Sequence, residues 1–182
     1  NWAELLVNKS GIDVGVWGVW NEPRRSGYAY NWSRSGATSE SMISSGQHTG
    51  LAAQVAAGQV EYVVIYIGTN DFTNWNDTYN QVYSGALAGS SLQFKINAIV
   101  SRITTTVDTV KAVGNPKIVL ANYADPGDSL AFIMAFPSAQ GRARVTAAIQ
   151  SINTQLSSLA VSRGLVIADV YGFARTLVTR IQ

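Results

Sequence analysis

The sequence predicts an α/β fold, in which helices cover both faces of a parallel β-sheet in a three-layer α/β/α arrangement. Two features predict it. Apolar, β-branched runs typical of buried strands alternate along the chain with segments whose apolar residues recur at helical spacing. Strands that alternate with helices form parallel βαβ units. The 182 residues suffice for one domain and contain no evident linker or repeat, so we assign residues 1–182 to a single domain.

The composition is typical of a compact globular domain. Hydrophobic residues make up 47% of the chain and charged residues 13%, which argues against disorder. The formal net charge is +2 without a basic run, so nucleic acid is not an expected partner. The chain has no cysteine and one histidine, which excludes disulfides, a thiol nucleophile and a multi-histidine metal site. No apolar stretch is long enough to span a bilayer.

The first third of the chain predicts a helix, a strand and two further helices. Trp2, Leu5 and Leu6 share one face of a helix, whereas Pro23 and Gly27 mark a loop. The expected bounds are 2–7 for the first helix, 13–20 for the strand, 21–31 for the loop, a short helix capped by Thr38 or Ser39 through residue 43, and a helix over 49–57.

The middle third contains the clearest strand of the chain. Val63, Val64, Ile65, Tyr66 and Ile67 form a continuous apolar run, which is typical of a strand buried on both faces. The expected bounds are 60–67 for this strand, 72–91 for a long loop beyond its carboxyl end, and 92–113 for an amphipathic helix that Gly114 ends. A loop of that length is more often functional than ornamental.

The last third repeats the order of strand, helix and strand. Asp125-Pro126-Gly127 is typical of a turn, and Gly164 ends a helix whose apolar residues recur from Val145 to Leu159. The expected bounds are 117–122 for one strand, 145–159 for the apolar stripe of the helix, and 165–170 for the last strand.

A candidate functional residue, Asn70, directly follows the clearest strand. Ligands of open parallel sheets bind just beyond the carboxyl ends of the strands. A neutral side-chain amide at that place can donate a hydrogen bond to a developing oxyanion. Gly68 allows the sharp turn before it and leaves room for a substrate. The simpler interpretation is that Gly68 to Asp71 form an ordinary turn, since these residue types are common in turns.

Two segments resemble sequence blocks of the SGNH hydrolases, also called GDSL esterases and lipases. Ile67-Gly68-Thr69-Asn70-Asp71-Phe72 resembles the Gly-x-Asn-Asp block of that family. Asn31-Trp32-Ser33-Arg34-Ser35-Gly36-Ala37-Thr38 is similar to its Asn-x-Ala-x-x-Gly-Ala block, with Ser33 in place of the usual alanine. Two blocks in the family's order and at a plausible separation are more specific than either alone.

The resemblance implies a flavodoxin-like fold and a serine esterase that works through an acyl-enzyme. It implies that the Gly36 N–H and the Asn70 amide donate to the oxyanion, with no metal or organic cofactor. Asp71 is expected to support Asn70 by holding its rotamer. The expected partner is an ester of a small molecule, a lipid or a polysaccharide. A composition rich in serine, threonine and asparagine is compatible with a secreted bacterial protein.

The two remaining catalytic blocks of the family have no counterpart within the chain. Asn1-Trp2-Ala3-Glu4-Leu5 resembles the helix that follows the family's nucleophilic serine, and Asp169 lies where the last strand ends, with no histidine after it. We therefore expect a fragment that lacks the nucleophile, the base and the first strand, and that is poorly stable and inactive alone. A sheet without a central strand leaves backbone groups unpaired.

Several alternatives stay open beside this hypothesis. Gly127-Asp128-Ser129-Leu130 spells the family's nickname, but it follows the wrong strand, and we expect neither Ser129 nor the lone His48 to be catalytic. The aromatic residues Phe72, Trp75 and Tyr123 either line a substrate pocket or cover the sheet edge, and Phe136 is a further candidate. A non-catalytic carbohydrate- or ligand-binding module on the same fold is the alternative function. Flavin-type nucleotide binding is disfavoured because no phosphate loop follows a strand.

Overall fold

The computed structural model describes residues 2–73 and 76–179. Within them, helices and strands alternate as the α/β prediction requires. The strands are β1 (Trp17–Val19), β2 (Ser26–Tyr28), β3 (Tyr62–Ile65), β4 (Lys117–Ala121) and β5 (Val166–Ala168). The α-helices are α1 (Trp2–Ser10), α2 (Ser39–Ser44), α3 (Gln47–Ala56), α4 (Thr78–Ser84), α5 (Gly89–Ala112), α6 (Leu130–Ala135), α7 (Ala139–Arg163) and α8 (Val170–Thr179).

The main sheet is parallel, with the strand order β3-β4-β5. Its register pairs Ile65 with Leu120, and Leu120 with Ile167. Buried side chains of β3 and β4 form one apolar core with the buried residues of the long helices α5 and α7. The predicted parallel sheet flanked by helices is therefore confirmed, and the α/β fold class with it. None of the helices in the described part of the chain is long and apolar enough to cross a bilayer.

Strand β3 is the edge of this sheet and differs from the expected strand in its burial. Val63 and Ile65 are 3% and 5% exposed, whereas Val64 is 48% exposed. The expectation that both faces of β3 are buried is therefore wrong: alternate side chains point to opposite faces of a strand, and only the Val63 face packs into the core. A large cavity borders β3, and residues of both faces of the strand line it.

The strand predicted over 13–20 is wrong in its extent and in its partner. Only Trp17–Val19 is a strand, and it pairs antiparallel with β2, within the predicted loop 21–31. Cation–π contacts stabilise the hairpin: the Arg24 guanidinium lies 4.4 Å from the ring centres of both Trp20 and Trp32. The apolar residues of this segment therefore form a local hairpin instead of joining the main sheet.

The range 72–91, predicted as a loop, contains helix α4 and the start of α5. A further helix that was not predicted, α6, follows β4. Tyr79 of α4 is fully buried and contacts the rings of Phe132 and Phe136, with centroid distances of 5.1 and 4.4 Å. Helix α4 packs on α7, and its Tyr79 ring contacts the aromatic rings in and beside α6. These contacts between distant segments are a tertiary effect that local propensity does not predict.

Candidate functional site

The two predicted oxyanion segments meet at the carboxyl end of β3. After β3 the chain turns at Gly68 into a single 3₁₀ turn, Thr69–Phe72. The Asn70 side chain there donates a hydrogen bond from Nδ2 to the backbone oxygen of Ala37, at 2.9 Å. Ala37 directly follows Gly36, so the amide of Asn70 lies against the loop that carries Gly36. The second Nδ2 hydrogen of Asn70 is not used in this bond.

A buried carboxylate joins the same two segments. Asp71 is 7% exposed and Ser39 is fully buried. The Asp71 carboxylate accepts the Ser39 N–H on Oδ2 at 2.7 Å and the Ser39 hydroxyl on Oδ1 at 2.8 Å. Burial raises the pKa of the Asp71 carboxyl above its ordinary value, and the hydrogen bonds from Ser39 act in the opposite direction.

Two glycines shape the site in different ways. Gly36 is exposed, has a φ of +78°, and a Cβ at its position would meet no atom within 4 Å. Gly68 has a φ of +102°, and a Cβ there would lie 1.6 Å from the hydroxyl oxygen of Tyr123. Gly68 is therefore required by both its backbone conformation and its close neighbour, whereas Gly36 is required by conformation alone.

A cavity of about 910 Å³ extends from Asn70 along β3. Its apolar walls come from β3 and from the α2 and α3 region across from it. The residues that shape its character are Val14, Met42, Leu51, Val64 and Ile67 on the apolar walls, and Arg34, Gln47, His48, Asn70 and Thr106 among the polar ones. The cavity is large enough for a small organic ligand, with a few polar groups at the Asn70 end.

The structure places His48 on the wall of this same cavity. Its Nδ1 atom is buried, and no hydrogen-bond partner for it occurs among the described residues. In a serine hydrolase the Nδ1–H of the base is held by a carboxylate. His48 has no such carboxylate partner among the described residues.

Ser129 serves as the cap of helix α6. Its hydroxyl donates to the Pro126 backbone oxygen at 3.1 Å and accepts the Phe132 N–H at 3.3 Å. A serine in this position satisfies the free N–H groups at a helix start. The local resemblance of this segment to a nucleophile block is thus explained by capping.

Of the aromatic residues proposed for substrate binding, Phe72 and Tyr123 do not lie on the cavity wall. Phe72 is 3% exposed and Tyr123 is fully buried in the core. The Tyr123 hydroxyl donates to the Ile67 backbone oxygen at 2.7 Å and so braces the end of β3. Burial raises the pKa of Tyr123 well above its ordinary value. Trp75 lies outside the described residues.

Sequence reasoning missed the role of Ser39, which was considered only as a helix cap. Its position beside the Gly36 block was the one available signal, because the partner, Asp71, is 32 residues away. Across residues 2–73 and 76–179, no group of three or more potential His, Cys, Asp or Glu metal ligands occurs.

A second polar cluster lies at the carboxyl ends of β4 and β5. Asn122 donates from Nδ2 to Asp169 Oδ1 at 2.7 Å and accepts the Tyr171 N–H at 2.8 Å. Gly172 N–H also donates to Asp169 Oδ1, at 3.0 Å. The bond from Asn122, followed by that from Gly172, lowers the pKa of the Asp169 carboxyl. The cluster ties the start of α8 to the sheet.

We expect the contribution of Asp169 to stability to depend on pH. Its lowered pKa means that the stabilisation is complete above the unfolded value of about 3.8 and is lost as the pH falls through the folded value. Asp169→Asn should lower the free energy of unfolding at pH 7 by a small amount, less than about 1 kcal/mol because the carboxylate is exposed. Thermal unfolding of both proteins from pH 7 to pH 3 measures the difference, which should shrink below pH 4. A constant difference would contradict the charge-based explanation.

Comparison with known proteins adds a distant structural similarity. No protein-family model and no curated protein matches the chain. Among solved structures, the chain is similar to an extracellular lipase from Streptomyces rimosus, with 20% sequence identity and a TM-score of 0.49. The match covers 76% of this chain and 59% of the lipase chain, so the chain spans about three fifths of the lipase's length. At this level of similarity the match carries no conclusion about activity.

Proposed function

We propose that the protein is a serine-type hydrolase of carboxylic esters in which Gly36 and Asn70 donate hydrogen bonds to the oxyanion. The observation that carries the proposal is the hydrogen bond between Asn70 Nδ2 and the Ala37 backbone oxygen, 2.9 Å long. It joins two segments that are 33 residues apart and that separately resemble the oxyanion blocks of the SGNH hydrolases. Their meeting point is the carboxyl end of a parallel strand, where α/β proteins bind ligands.

In the proposed mechanism, a serine attacks the ester carbonyl and a histidine accepts its proton. The carbonyl oxygen becomes an oxyanion, which the Gly36 N–H and the free Nδ2 hydrogen of Asn70 stabilise. The alcohol leaves with a proton from the histidine, and water then hydrolyses the acyl-enzyme. We assign neither the serine nor the histidine to the described residues. The mechanism uses no metal or organic cofactor.

The proposed substrate is a carboxylic ester. The apolar cavity along β3 adjoins the Asn70 amide and has room for the acyl or alcohol part of an ester. Esters of small molecules, lipids or polysaccharides all fit this description. We further propose that the protein acts outside the cell.

The test uses the complete hydrolase that contains these residues. We expect it to hydrolyse p-nitrophenyl acetate and to react at one serine with a fluorophosphonate probe, identified by peptide mass spectrometry. Labelling at no serine, together with no turnover of acetate or butyrate esters, would contradict the proposal.

Residues 1–182 expressed alone should show no turnover above background, because Ser129 is a helix cap and His48 lacks a carboxylate partner in the described structure. The measurement is p-nitrophenyl acetate hydrolysis by this chain and by its Ser129→Ala and His48→Ala variants. Turnover that disappears in either variant would assign catalysis to the residue replaced.

A non-catalytic ligand-binding module is the second candidate. The observation in its favour is the cavity of about 910 Å³, which accommodates a ligand without any chemistry. Titration calorimetry with oligosaccharides and with acyl esters distinguishes the two functions. Tight binding without turnover by the complete protein would favour the module.

A further inference from the structure

Two hydrogen bonds, and not one, join Ser39 to the Asp71 carboxylate. Both carboxylate oxygens of Asp71 bond to one residue, at 2.7 Å to the Ser39 N–H and at 2.8 Å to the Ser39 hydroxyl. Two bonds to the same residue fix the angle of the carboxylate as well as its distance. A hydrogen-bonded buried carboxylate is costly to separate from its donors, because the charge then loses its compensation.

The pair lies directly beside the proposed oxyanion donors. Ser39 is the first residue of α2, two positions after Ala37, and Asp71 follows Asn70 in the 3₁₀ turn. With the bond from Asn70 to Ala37, three hydrogen bonds join residues 37–39 to residues 70–71. Ser39 and Asp71 are buried, whereas the adjoining residue Gly36 is exposed to solvent.

We propose that Ser39 is a positioning residue, which acts through Asp71 to hold the Asn70 amide at the Gly36 loop. The inference rests on the proposed hydrolase function and adds a residue that the sequence blocks do not identify. Oxyanion donors stabilise a transition state only when they are held in place before the reaction. The Ser39 hydroxyl fixes one carboxylate oxygen of Asp71. Because Asp71 and Asn70 are neighbours in the same 3₁₀ turn, fixing Asp71 also restricts the position of Asn70.

The test compares two serines at the start of the same helix. Ser39→Ala removes the hydroxyl bond to Asp71 and keeps the backbone bond. Ser41→Ala is the matched control: its hydroxyl caps α2 by accepting the Thr38 N–H at 2.9 Å and makes no hydrogen bond to Asp71 in the described structure. Ser39→Thr retains the hydroxyl and should restore the function. If Ser39→Ala does not fold, Ser39→Cys takes its place. The cysteine side chain has a similar volume to serine, and its thiol is a weaker hydrogen-bond donor than the hydroxyl.

Two measurements separate positioning from simple stabilisation. In the complete protein, NMR follows the exchange of the Asn70 Nδ2 hydrogens, which should become about tenfold faster in Ser39→Ala as the bond to Ala37 loosens, a shift equivalent to about 1.4 kcal/mol. In the complete hydrolase, kcat should fall about tenfold with KM nearly unchanged, which is the signature of a lost transition-state interaction. Ser41→Ala should change neither quantity.

The outcomes distinguish this inference from the proposed function. If Ser39→Ala lowers the unfolding midpoint but leaves Asn70 exchange and kcat unchanged, Ser39 is only structural and the inference is overturned. If the complete protein has no esterase activity, the proposed function fails. The exchange of the Asn70 hydrogens then still decides whether Ser39 positions that side chain.

Discussion

Replacing Asn70 with alanine is expected to lower kcat of the complete hydrolase by about 10²–10³-fold, equivalent to ~3–4 kcal/mol of lost transition-state stabilisation. KM should remain nearly unchanged, because in the proposed mechanism the second Nδ2 hydrogen of Asn70 donates to the oxyanion and not to the ground-state ester. Steady-state kinetics with p-nitrophenyl acetate measure both constants. The effect is large because the charge develops at one oxygen, and one of its few donors is removed.

The control for this experiment is Asn97→Ala, which removes an exposed asparagine on α5 that accepts a hydrogen bond from Gln93 at 2.7 Å. It should leave both constants unchanged. Asn70→Asp tests the chemistry further: a carboxylate at this position repels the oxyanion and should be at least as harmful as alanine. A rise in KM with an unchanged kcat in Asn70→Ala would identify Asn70 as a ground-state binding residue and refute its assignment as an oxyanion donor.

Gly68→Ala is expected to destabilise the fold by about 3 kcal/mol or more, which combines roughly 1 kcal/mol of backbone strain with ~2 kcal/mol of overpacking. The strain arises because the φ of Gly68 is +102°. The overpacking arises because the new Cβ would lie 1.6 Å from the Tyr123 hydroxyl oxygen, which is itself held by the Ile67 carbonyl. Urea unfolding followed by tryptophan fluorescence measures the change.

Gly58→Ala separates the two contributions. Gly58 also has a positive φ, +70°, but a Cβ there meets no atom within 4 Å, so only the strain should remain, about 1 kcal/mol. Combining Gly68→Ala with Tyr123→Phe removes the clashing oxygen and should recover part of the loss. Recovery should be incomplete because Tyr123 Cζ is still 2.7 Å from the added Cβ. Equal effects of Gly68→Ala and Gly58→Ala would show that the close approach to Tyr123 is unimportant.

The sequence by itself determined the elements with strong local periodicity. The long helix α5, the strand β4 and the helix α7 follow from apolar residues at regular spacing, and all three occur. Only the starts of the two helices differ clearly, because α5 begins at Gly89 and α7 at Ala139, before the expected positions 92 and 145. The same local reading placed Asn70 just after a strand, and the structure finds it in the turn after β3. Short segments were predicted less well. In the helix Thr78–Ser84, Tyr79 packs on Phe136, and a contact with so distant a residue leaves no local pattern in the sequence of the segment.

The tertiary structure alone decided which segments meet. Trp17–Val19 has the composition of a sheet strand, yet it pairs with β2, because pairing depends on the available partner and not on propensity. Tyr123 looked like a ligand contact and instead braces the end of β3 from inside the core. Ser39 and Asp71 are each unremarkable in the sequence. Their contact at 2.7 Å spans 32 residues, a relation that only the folded chain establishes, because hydrogen bonds between distant segments leave no periodic trace in the sequence.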